Sequence, residues 1–113
     1  MSILEELTRL LDSLGIAVET GIFSGVAPDE YVVITPLSEI FELYADNLPR
    51  AETQEARLSL YSRGNYQRRK NQIVRALLGA DFTITERRYL EYEGDTGYHA
   101  YYVDVAKNYT LEG

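Results

Sequence analysis

The chain has no cysteine and no tryptophan, a single histidine and three prolines in 113 residues. Without cysteine there is no disulfide framework and no thiolate metal site, which suits synthesis in a reducing cytosol. One histidine among scattered carboxylates lacks the ligand spacing of a metal centre, and no motif calls for a cofactor. No apolar run approaches the roughly 20 residues needed to span a bilayer, so no membrane segment is expected. Met1-Ser2-Ile3-Leu4-Glu5-Glu6 lacks the positive and apolar regions of a secretory signal. Without one, the sequon Asn108-Tyr109-Thr110 reads as coincidence. Positive charge is scarce too. Eleven Lys and Arg stand against 18 Asp and Glu, a net charge of −7. That balance argues against general DNA or RNA binding, which depends on neutralising phosphates.

What is present is a chain 45% hydrophobic, long enough to bury about two-thirds of its extended surface as one domain over residues 1–113. Its aromatic content is skewed to ten Tyr and three Phe. Tyrosine joins an apolar ring to a polar tip, which suits both half-buried sheet positions and subunit interfaces.

Ser2 followed by Glu5 reads as a capping box, and Ile3, Leu7, Leu10 and Leu14 recur at helical spacing, predicting a first helix over 3–14 ended by Gly15. A short strand over 16–23 follows, then a turn over 26–30. Tyr31 to Thr35 reads as a strand buried on both faces, with Pro36 ending its ladder or marking a bulge. Residues 38–46 and 55–62 alternate and predict a long antiparallel hairpin joined by a polar connection over 47–53. Ala56, Leu58 and Leu60 point inward. Asn65 is placed to cap a second helix over 66–78 ended by Gly79. Strands over 82–92 and 98–106 flank the turn Glu93-Gly94-Asp95-Thr96-Gly97. The predicted order is α-β-β-β-β-α-β-β, an α+β fold with a mostly antiparallel sheet and both helices on one face.

No catalytic set emerges. His99 has no Ser or Cys nucleophile motif beside it and reads as a hairpin-flank residue. Asp46, Glu91, Glu93 and Asp95 could pair as general acid and base, but loop carboxylates are expected in an acidic protein. Gly94-Asp95-Thr96-Gly97 contains the Asp-Thr-Gly of an aspartic-protease half, yet its hairpin position makes turn chemistry the simpler reading. The one basic cluster is Arg63, Arg68, Arg69, Lys70 and Arg75. Arg68, Gln72 and Arg75 share the exposed side of the second helix, and Lys70 lies near its apolar arc, where it either snorkels or meets a carboxylate. The cluster reads either as a patch docking on a neighbour's acidic surface or as a solvated helix face.

Four stretches carry a resemblance: Tyr44-Ala45-Asp46-Asn47; Gly64-Asn65-Tyr66; Asp81 through Tyr89; and Gly97-Tyr98 through Asp104-Val105-Ala106-Lys107. In these the chain resembles the tail-completion, or tail-terminator, proteins of siphophages and prophages. The resemblance implies a non-enzymatic structural subunit forming a ring, usually of six copies, at the head–tail junction of the virion. Its implied partners are copies of itself, the major tail protein and head–tail connector proteins, with DNA passing through unbound. An acidic lumen would not hold phosphates, and an open sheet edge would accept a neighbour's strand. Tyr44 and Asp46 then join Arg63, Arg68, Arg69, Lys70 and Arg75 as expected subunit-interface positions. The alternative expectation, from the charge of −7, is a small acidic inhibitor or DNA mimic from a mobile element.

Overall fold

The computed structural model describes residues 2–20, 28–45 and 48–110. It contains helix α1 (Ile3–Ser13), strands β1 (Ala17–Thr20), β2 (Glu30–Ala45) and β3 (Leu48–Ser62), helix α2 (Tyr66–Gly79), and strands β4 (Thr83–Glu93) and β5 (Tyr98–Thr110). The strands form one sheet in the order β1-β2-β3-β5-β4. Every neighbouring pair is antiparallel except β1 with β2. The fold is α+β, as the hydrophobic periodicity predicts.

Local chemistry sets both helices. At the start of α1, Ser2 is extended and its Oγ accepts the Glu5 N–H at 3.3 Å. The Ile3 N–H, which no helical carbonyl can reach, donates to Oε1 of buried Gln54 at 2.8 Å. The helix ends with Gly15 at φ +75°, where the Ile16 N–H returns to the Leu11 carbonyl and the Gly15 N–H to that of Asp12. Asn65 caps α2 as expected, its Oδ1 accepting the Arg68 N–H at 3.1 Å. The other end of α2 differs from expectation. Gly79 is the last helical residue, and Asp81 (φ 66°) takes the left-handed position while the Phe82 N–H closes on the Leu77 carbonyl. Aspartate tolerates that conformation better than most side chains, so glycine is not required there.

The helices share one face of the sheet. Ile3, Leu7 and Leu11 of α1 and Ile73 and Leu77 of α2 are buried against Val32, Ile34, Ala56, Leu58, Leu60, Val103 and Val105. Tyr31 and Val33, on the opposite face of β2, are only half-buried. The segment 31–35 is therefore not sandwiched on both sides, because no helix among the described residues covers its second face.

Two further expectations change. Residues 31–35 and 38–46 are not separate strands. They form one 16-residue β2, with a register shift between Pro36 and Ser38, so three strands and not four lie between the helices. Pro36 pairs with Ala56 on β3 directly before the register shift, so the residue that cannot donate sits at the bulge. Likewise 48–53 is strand and not loop, since Ala45 pairs with Leu48 and Ala51 also pairs with Thr110 on its other side. The resulting β2–β3 hairpin projects past β1 as an arm and contributes to a body measuring 55 × 27 × 24 Å.

Candidate functional site

The expected interface residues divide sharply once they are placed. Arg69 is used inside the subunit. Its guanidinium pairs with Glu30 on β2, donates to Oε1 of Gln72 at 2.7 Å and reaches the Leu14 carbonyl at 3.4 Å. Glu30 in turn accepts from Ser62 Oγ at 3.0 Å, so one arginine joins β2, β3 and both helices. Arg63 pairs with Asp29 at 3.0 Å, donates to the Thr96 carbonyl at 2.8 Å and lies over the Tyr98 ring at 4.3 Å. Among the described residues Lys70 meets a ring and not a carboxylate, with Nζ 5.4 Å from the centre of Tyr101. These three partners lie far away in sequence, which is why helical spacing could not sort them.

Arg68 and Arg75 remain. Both are exposed, and among the described residues neither has a carboxylate partner. With Asn65, Gln67, Asn71 and Gln72 they line a shallow polar groove along the outer side of α2. Tyr44 lies in β2, but its side chain, and Asp46 altogether, fall outside the described residues.

The tyrosines form two clusters. On the face away from the helices, Tyr31 stacks on Tyr61 with ring centres 5.0 Å apart, and Tyr98 meets Tyr31 edge-on at 5.6 Å. On the helix face, beyond the start of α2, Tyr66 stacks on His99 at 4.8 Å and packs against Tyr89 at 5.2 Å. His99 is half-buried, and Nδ1 lies 3.1 Å from the Tyr89 hydroxyl. Its other described ring neighbours are Tyr66 and Tyr92. Asp95 is exposed in the 94–97 turn, where Gly97 supplies φ +80°. Among the described residues no three His, Asp or Glu side chains gather as metal ligands, and no helix is long and apolar enough to cross a membrane.

Two polar networks went unseen in the sequence. Arg57 grips Asp104 through two bonds, of 2.7 and 2.9 Å, while its guanidinium lies 4.0 Å above the Tyr102 ring. Tyr102 donates to Glu86 at 2.7 Å, which raises the phenol pKa, with burial adding to the shift. Across the core, Lys107 donates to Glu6 at 2.8 Å and to the Ala80 carbonyl at 2.9 Å, tying α1 and the end of α2 to β5. The pairing of 57 with 104 is a β3–β5 register fact that no local motif encodes.

No protein-family model and no curated protein sequence matches the chain. What it can do must therefore be read from its own surfaces.

Tyr109 supplies a pH prediction. Its buried hydroxyl lacks a well-formed hydrogen bond among the described residues, and burial, then the Glu6 carboxylate, push its pKa well above the usual phenol value. Burial likewise raises Tyr31 and Tyr101. Below about pH 10 these phenols are neutral in both states and contribute no pH dependence. Above it the unfolded chain releases protons first, so stability falls as pH rises. Melting temperature should be flat from pH 8 to about 9.5 and drop beyond it. Tyr109→Phe removes an unsatisfied buried hydroxyl, so it should raise stability at pH 7 by about 1 kcal/mol and soften that alkaline loss. Thermal melts of both proteins across the range check each part.

Proposed function

We propose that this chain is a non-catalytic structural subunit that assembles with copies of itself, acting as a tail-completion protein at the head–tail junction of a phage or prophage virion. The observation that carries the reading is the β2–β3 arm, a pair of strands extending past β1 with one edge unpaired among the described residues. A bare edge is a template for another chain, and a fold that keeps one offers a place for assembly. The resemblance in residues 44–47, 64–66, 81–89 and 97–107 supports the tail role. The charge of −7 suits a ring that lets DNA pass without holding it.

Within this reading the unpaired Arg68 and Arg75 face a neighbour's acidic surface. Arg68→Glu/Arg75→Glu should change folding stability by no more than about 0.5 kcal/mol, because both side chains are exposed and unpartnered. Assembly of that variant should weaken, and wild-type assembly should weaken with added salt. Thermal melts beside sedimentation at several salt concentrations test the pair of statements. Normal assembly of the variant at every salt concentration would make α2 a plain solvated face. The broader reading is tested by mixing the purified chain with tail tubes. Binding to tube ends supports it, whereas capture of a soluble host protein with no tube binding would favour the acidic inhibitor.

A further inference from the structure

Among the described residues β4 bounds the sheet on one side and β2 runs past β1 beyond Ile34 on the other, and the exposed large apolar side chains gather on these two strands. Leu37, Ile40 and Phe41 lie on β2, and Tyr89, Leu90 and Tyr92 on β4. Among the described residues only Leu78 on α2 joins them. Exposed apolar groups scattered singly need no explanation, but their collection on these two strands does.

The edges also differ in charge and regularity. Beyond its bulge at Pro36, β2 pairs with β3 from Ser38 to Ala45 with no further register shift, and exposed Glu39 lies in that stretch. β4 carries two register shifts, at Ile84/Glu86 and Tyr89/Glu91, which blunt an edge against indiscriminate pairing. Between them lies a regular stretch, Glu86 to Tyr89, in which exposed Arg87 and Arg88 outnumber exposed Glu86, 3.7 Å from Arg88.

We propose that the distal edge of β2 in one copy pairs with the Glu86–Tyr89 edge of β4 in the next, continuing the sheet from subunit to subunit. This rests on the reading that copies of the chain assemble. Charge chooses this contact over the symmetric ones. Pairing β2 with itself brings Glu39 near its own copy, and in β4 Arg88 already lies 3.7 Å from Glu86, whereas β2 against β4 sets Glu39 beside the stretch in which Arg87 is the second cation. Main-chain bonds provide the attachment and the apolar side chains cover it. Because the two edges are different surfaces, the contact is head-to-tail, and it closes into a ring when the rotation per subunit permits.

The absence of native cysteine makes the test direct. Phe41→Cys and Leu90→Cys are made separately, each at an exposed position, mixed at concentrations where light scattering reports oligomers, and treated with a short bismaleimide. The expected product joins Cys at 41 to Cys at 90 in the mixture, with little cross-linking in either protein alone. Oligomers that yield only 41–41 or 90–90 products, or none, overturn the edge pairing and leave assembly intact. A monomer at every concentration overturns both. Phe41→Lys provides a second readout, with an unchanged melting curve and a half-assembly concentration raised about tenfold or more. Unaltered assembly of that variant counts against the pairing.

Discussion

Leu58→Ala should lower stability by about 2–5 kcal/mol, the largest effect of any single truncation considered. Leu58 is 1% exposed and sits at the centre of the sheet, opposite Ile34 on β2 and Val103 on β5. Its neighbours on the helix face, Ala56 and Leu60, belong to the same buried cluster, which also holds Leu11 and Leu77. Flanking strands fix the backbone on both sides, so the walls have little room to close over the lost atoms. Against a total stability of about 5–15 kcal/mol for a domain of this kind, such a loss is severe. Denaturant titration should show the midpoint shift at an unchanged slope. A cost under about 1 kcal/mol would mean that this region is not close-packed.

Asp104→Ala should cost about 1–3 kcal/mol, the range for losing hydrogen bonds to a charged, largely buried group. Asp104 is 7% exposed and accepts both bonds of the Arg57 fork. The penalty stays below that of a fully buried pair because the Arg57 side chain is 38% exposed and can rehydrate once its partner is gone. Arg57→Met should cost at least as much as Asp104→Ala, since it strands the largely buried Asp104 carboxylate and also loses the favourable guanidinium contact with the Tyr102 ring. A double-mutant cycle on 57 and 104 measured by chemical denaturation should give a favourable coupling of about 1 kcal/mol. Strict additivity would show that the two side chains act independently.

How far the sequence could be read depends on how local each cause is. Ser2, Gly15 and Asn65 act on residues within one turn, so the helix ends they set are legible, as is the inward row Ala56, Leu58, Leu60. The Pro36 bulge was also foreseeable from the missing N–H, though not that the strand would continue beyond it. The stretch 48–53 carries Pro49 and several polar residues and reads as loop, yet it is held as strand by partners on β2 and by the end of β5. Sheet pairing overrode local preference there. The basic cluster shows the same limit. Its five residues all fall between Arg63 and Arg75, but Glu30, Asp29 and Tyr101 decide which of them stay free, and those lie outside that segment. The apolar residues on β2 and β4 became meaningful only once the pairing showed that β4 bounds the sheet and that β1 covers β2 only over 31–34 among the described residues.

The central claim is that this chain is a self-assembling subunit, and mass photometry with negative-stain microscopy across a concentration series tests it most directly. The account predicts that the 12.9 kDa chain gives way, as concentration rises, to a closed ring of one defined size that seats on the ends of tail tubes. A single species of monomer mass at every concentration, with bare tube ends, would contradict it.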